Sequence, residues 1–126
     1  MFSHVVVGTD DIAVAKRFYD AVLGTLGIAQ GRIDERGRLF YQHRGGRFGV
    51  VVPIDGAPAH GANGGTIGFL APSPDAVAAW AAAGVAHGGT AIEDPPGPRN
   101  ATGGRTLYLA YLRDPAGNKL CATCPL

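Results

Sequence analysis

The sequence predicts an α+β protein. Two tandem βαβββ modules are expected to set eight strands into one curved, mixed sheet around a cleft. Three observations lead there. A β-branched run, His4 to Gly8, is followed by capping aspartates and an apolar helical face. The same order returns in the second half, from Thr66 onward. Between these units, many of the 20 Gly and 9 Pro residues cut the chain into strand-sized pieces.

In the first module, about residues 1–56, Asp10 and Asp11 can cap a helix. Its face is Ile12, Ala15, Phe18/Tyr19 and Val22/Leu23, and Gly24 stops it. Strands are expected at roughly Ala29 to Asp34, Arg38 to His43 and Arg47 to Pro53. Gly37 and the Gly45-Gly46 pair mark the hairpin turns between them. Ile54 to Gly65 has the composition of a linker.

The second module, about residues 65–126, starts with a strand from Thr66 to Leu70. Ser73 is an N-cap and Pro74 occupies the first helical position. Val77, Trp80 and Ala81 form a helical face that ends at Gly84. A short strand follows near Thr90 to Glu93, then a Pro-rich loop from Asp94 to Gly104. Arg105 to Leu112 and Lys119 to Cys124 read as strands, joined by the turn Asp114-Pro115-Ala116-Gly117-Asn118. At one constant displacement His4 falls on Thr66, Asp11 on Ser73, Ala15 on Val77, Phe18 on Trp80 and Leu23 on Val85. One such unit cannot bury its own sheet, whereas two can enclose a cleft.

Composition narrows the functional classes. The chain has 126 residues, which is one domain's worth. Eleven Lys and Arg against ten Asp and Glu leave a net charge of +1, too small for a broad nucleic-acid footprint. No apolar run is long enough to cross a membrane, and the N-terminus lacks the basic and apolar regions of a signal peptide. A cytoplasmic protein with neither nucleic-acid nor membrane partners is therefore expected. Lys16 and Lys119 are the only lysines, a usage that points to a GC-rich bacterial genome.

Certain residues carry a resemblance. His4-Val-Val-Val-Gly, Asp11-Ile12, Phe18-Tyr19 and Leu23-Gly24 resemble the opening of the vicinal oxygen chelate superfamily. That is the group of glyoxalase I, bleomycin-resistance proteins and extradiol dioxygenases. Arg113 to Lys119 resembles its closing hairpin. Ala71-Pro72-Ser73, Pro96 to Arg99, and Tyr108 with Ala110-Tyr111 resemble a branch of small bacterial glyoxalase-like proteins. The resemblance implies a glyoxalase/dioxygenase-like fold and a homodimer.

In metal-using members, the resemblance places one ligand on the first and one on the last strand of each module. The matching positions here are His4, a residue within Gly49 to Val52, Thr66 and Cys121. Only His4 is a strong ligand, and a His, Gln or Glu is missing from the other three. The two glutamates, Glu35 and Glu93, lie elsewhere. No cofactor is therefore expected, with a divalent metal at His4 as the alternative.

The residues expected to line the cleft are His4, Tyr41, His43, Thr66, Arg105, Tyr108 and Cys121. Tyr41 and His43 share one strand face, which looks either into the cleft or to solvent. Arg105, at the mouth of its strand beside aromatic walls, suits a carboxylate or phosphate. Cys121 and Cys124 spell Cys-x-x-Cys on a strand, where odd spacing turns them to opposite faces and removes the redox reading. Phe18 and Trp80 read as core, His60 and His87 as exposed. The expected function is binding of a small organic ligand without a catalytic metal. The alternatives are a divalent-metal lyase or dioxygenase using His4, and a non-enzymatic dimeric interaction module.

Overall fold

The computed structural model describes all of residues 1–126. Strand β1 (His4–Gly8) leads into helix α1 (Ile12–Gly24), then β2 (Arg32–Ile33), β3 (Leu39–His43) and β4 (Gly46–Val51). The second module repeats the order with β5 (Ile67–Leu70), α2 (Pro74–Ala86), β6 (Thr90–Asn100), β7 (Thr106–Arg113) and β8 (Lys119–Pro125). A single 3-10 turn, Thr102–Gly104, joins β6 to β7. The α+β class and both modules are as expected. The eight strands form two four-stranded sheets, ordered β1-β4-β3-β2 and β5-β8-β7-β6. In each sheet the first strand pairs in parallel with the last and the other pairings are antiparallel.

Both helices start where the sequence caps them. Asp11 accepts from the Val14 N–H at 3.1 Å, and Ser73 from the Ala76 N–H at 3.1 Å. Helix α1 buries Ala15, Phe18, Tyr19, Val22 and Leu23. Helix α2 buries Val77, Trp80 and Gly84. These side chains share one core with Leu39, Tyr41, Phe48 and Val50 of the first sheet and Ala110, Leu112, Leu120 and Ala122 of the second. One core thus serves both modules.

Two glycines act differently from the sequence reading. Gly84 does not end α2, which runs on to Ala86; a Cβ at Gly84 would overlap Leu112 Cδ1, so the residue lets the helix sit close on β7. In the β3–β4 hairpin the turn residues are Arg44 (φ 47°) and Gly45 (φ 81°), while Gly46 already belongs to β4. Two consecutive positive φ values match the primed two-residue turn.

The expected loop from Asp94 to Gly104 is mostly strand. The register breaks between Ile92 and Gly97, then Gly97 to Asn100 pair with Leu109 to Thr106. Prolines are tolerated there because β6 is an edge strand and the break is a bulge. The expected strand from Ala29 to Asp34 shrinks to Arg32–Ile33.

Strand alternation gives each sheet a helix-facing and an opposite side. In the first sheet Val5, Val7, Leu39, Tyr41, Phe48 and Val50 pack toward the helices. The alternating His4, Val6, Phe40, Gln42, Arg47 and Gly49 take the other side. In the second sheet Tyr108, Ala110, Leu112, Leu120, Ala122 and Cys124 pack toward the helices. Leu109, Tyr111, Lys119 and Cys121 alternate with them. No helix is long and apolar enough to cross a membrane.

Candidate functional site

A groove of about 350 Å³ runs between the modules, where β1 and β4 meet β5. Val5, Leu23, Ile28, Phe48, Ile67 and Phe69 give it an apolar bed. The Phe48 and Phe69 rings, one from each module, meet edge to face at 5.4 Å. His4, His43 and Arg47 supply polar groups at its rim. Gly68 also lines it, and a Cβ there would meet nothing within 4 Å.

His4 and Arg47 are direct partners in the parallel β1–β4 register. They also line a second recess of about 590 Å³ on the opposite face of the first sheet, with Val6, Arg36, Arg38 and Phe40. The groove and the recess therefore share a cationic edge. The His4 ring Nδ1 lies 2.8 Å from Ser3 Oγ.

Of the seven residues expected at the site, the structure brings His4, Tyr41 and His43 together around the groove. Tyr41 turns toward the helices, where its ring borders the groove, and is only 3% exposed. Its hydroxyl donates to Asp20 Oδ1 at 2.8 Å, and burial followed by that carboxylate pushes its pKa far up. Asp20 also accepts from Lys16 Nζ at 2.5 Å and from the Gly31 N–H at 2.9 Å. Burial alone would raise the Asp20 pKa, but those bonds together hold it below the usual carboxylate range. Tyr41 therefore offers a ring to the groove, while its hydroxyl is committed to α1.

The other four lie apart. Tyr108 packs on the helix side of β7 because Ala110 and Leu112 fix the parity of that strand. Arg105 is exposed, and its Nε reaches only the Thr102 carbonyl, at 3.5 Å. Thr66 lines a separate depression of about 260 Å³ with Val6, His60 and Lys119. Cys121 lies beside Tyr111 in the β7–β8 register, on the side away from the helices. Burial pushes the Cys121 thiol up, so it stays protonated at neutral pH. Cys124 faces the core, as the odd spacing requires, and both cysteines are free.

Sequence reasoning missed Arg47, Phe40 and Arg38. The Arg47 guanidinium carbon stacks 3.8 Å from the Phe40 ring centroid, and that of Arg38 lies 5.3 Å from it. On the opposite side of the second sheet the aromatic residue is Tyr111, not Tyr108. Lys119 sits 4.7 Å from the Tyr111 ring centroid and pairs with Glu93 at 2.6 Å. No three His, Cys, Asp or Glu side chains converge anywhere in the chain.

Paired βαβββ modules with a groove between them define the class of protein. The chain belongs to the glyoxalase/bleomycin resistance protein/dioxygenase superfamily, whose family model matches residues 1–122. It is 55% identical to a glyoxalase/bleomycin resistance protein from Albidiferax ferrireducens, each chain covering 98% of the other, with a TM-score of 0.94. A glyoxalase-related enzyme from Fulvimarina pelagi is 18% identical, with a TM-score of 0.74 over 98% of this chain and 87% of that one. A lactoylglutathione lyase from Agrobacterium tumefaciens is 22% identical, with a TM-score of 0.65 over 98% of this chain and 92% of that one. At the last two identities the likeness is one of fold, which many chemistries share. No curated protein matches the chain.

Proposed function

We propose that the chain binds a small organic molecule in the groove between its modules, without a catalytic metal. The observation that carries this reading is the groove itself: about 350 Å³, apolar in its bed, with His4, His43 and Arg47 at the rim. That is the size and make-up of an ordinary small-molecule site.

The donors at the metal positions do not fit a divalent ion. His4 is one ligand, Thr66 lines a different depression, and Cys121 is a neutral thiol in the other sheet. At Gly49, on β4, the Phe40 ring fills the space that a side chain would occupy: an added Cβ would lie 2.7 Å from Phe40 Cε1.

The resemblance also implies a homodimer. Phe2 and Leu70 at the groove are 75% and 70% exposed, which supports covering of that edge by a second copy. Light scattering should give twice the chain mass of 12.9 kDa; a particle of the single mass would reject the dimer.

The test of binding is a thermal-shift screen of a broad metabolite library on chelator-treated protein, repeated with Gly68→Leu. A stabilising compound that loses its effect in Gly68→Leu supports the groove, because the new side chain enters open space. No stabilising compound in the library, or equal shifts in the variant, would reject it.

A further inference from the structure

We propose that the recess on the helix-free face of the first sheet is an anion site, built to take the carboxylate of an organic acid on Arg47. This deepens the reading above and rests on it, since the recess and the groove share His4 and Arg47.

The site is layered. Gly49 comes first. A Cβ there would lie 2.7 Å from Phe40 Cε1 and 3.2 Å from Val6 Cγ2, so only glycine lets the Phe40 ring lie across β4 beside Val6. The ring is the second layer and Arg47 the third. Arg47 projects from the same face of β4, and its guanidinium stacks on the ring at 3.8 Å. Stacking fixes the plane of the guanidinium while leaving its N–H edge available.

Charge then selects the ligand. Arg38, also near the ring, is neutralised by Asp34 through contacts of 2.6 and 2.8 Å. Arg47 and Arg36 are in no ion pair, and neither side chain donates a hydrogen bond within the chain. The recess, about 590 Å³, thus holds two guanidinium groups without counter-charge above an apolar floor of Val6 and Val51. A planar fork held against a ring and flanked by apolar surface fits a carboxylate, which takes two parallel N–H bonds. The apolar body of the same molecule would rest on Val6 and Val51 or extend past His4 into the groove.

The experiment titrates ¹⁵N-labelled protein with benzoate and with its neutral isostere benzamide at equal ionic strength. It follows the β1 and β4 amides and the arginine Nε–H signals. Benzoate should bind about tenfold tighter than benzamide, the gain expected of a charge-assisted pair, and should move the Arg47 signal. Arg47→Gln should reduce benzoate to the benzamide level. Arg17→Gln, which removes an exposed charge on α1, should change nothing. Gly49→Ala keeps every arginine but displaces the ring, and should weaken benzoate as well.

Equal binding of the two probes, or benzoate binding unchanged by Arg47→Gln, would overturn the anion site while leaving a groove ligand standing. Absence of binding by both probes would overturn it too. The groove reading then stands or falls on its own screen with Gly68→Leu.

Discussion

The Tyr19 hydroxyl donates to Asp114 Oδ2 at 2.6 Å, across 95 positions of sequence. The other oxygen of Asp114 accepts the N–H groups of Ala116 and Asn118 at 3.0 and 2.8 Å. Asn118 Nδ2 donates to Asp114 Oδ2 at 2.8 Å and to the Gly8 carbonyl at 2.9 Å. The Asp-Pro-Ala-Gly-Asn turn of the second module therefore fastens both α1 and the end of β1 in the first. Removing one partner leaves a buried carboxylate short of a bond, which is costlier than the bond's net value. Tyr19→Phe should lower stability by about 1.5–3 kcal/mol in urea unfolding. A loss under about 0.5 kcal/mol, the range of an ordinary surface change, would show that the clasp contributes little.

Alkaline pH tests the same bond and its neighbour. Burial, followed by Asp114, raises the Tyr19 pKa well above 10, and burial, followed by Asp20, raises that of Tyr41. Unfolded, both release their protons near pH 10, whereas folded they keep them. Above about pH 10 the unfolded chain binds fewer protons, so stability falls as pH rises, by up to about 1.4 kcal/mol per pH unit for each tyrosine. Below that pH these hydroxyls add no pH dependence. Urea unfolding between about pH 8 and 11.5 should show the fall, with a shallower slope in Tyr19→Phe. A flat profile above pH 10 would contradict it.

Two glycines in helices should respond in opposite directions to alanine. At Gly24, the last residue of α1, an added methyl meets nothing within 4 Å, so Gly24→Ala should stabilise by about 0.5–1 kcal/mol. At Gly84 the methyl overlaps Leu112, so Gly84→Ala should destabilise by about 1–3 kcal/mol despite alanine's better helix propensity. Thermal unfolding of the two variants checks the pair; a stabilised Gly84→Ala would mean that α2 can move off β7.

Tyr41→Phe separates structure from binding. Its hydroxyl serves Asp20, while only the ring reaches the groove. The variant should lose about 1 kcal/mol of stability yet hold any groove ligand within about twofold. A much larger loss of affinity would give the hydroxyl a direct role.

The fold was legible because its signals are local: Asp11 and Ser73 as caps, the β-branched run at His4, and the turn at Asp114. The repeat of these signals gave the topology. The second half of β6 was hidden because Pro95, Pro96 and Pro98 read as loop, and only pairing of Gly97 to Asn100 with β7 across a bulge overrides that. The site was harder to read. In Leu39-Phe40-Tyr41 every residue is apolar or aromatic, so alternation does not say which face is which. The deciding contact is Tyr41 with Asp20 of α1, a pairing made in three dimensions. The same ambiguity concealed Phe40 and, through it, the stacked Arg47. Tyr108 and Tyr111 differ by an odd number of residues, and the core side of β7 is set by Ala110 and Leu112.

The central claim, binding without a catalytic metal, is tested most directly by the metal content of the untagged protein. Elemental mass spectrometry after incubation with Zn, Ni, Mn and Fe should find negligible metal per chain, in wild type and in His4→Ala alike. Close to one metal per chain, lost in His4→Ala, would contradict the account and make His4 a ligand.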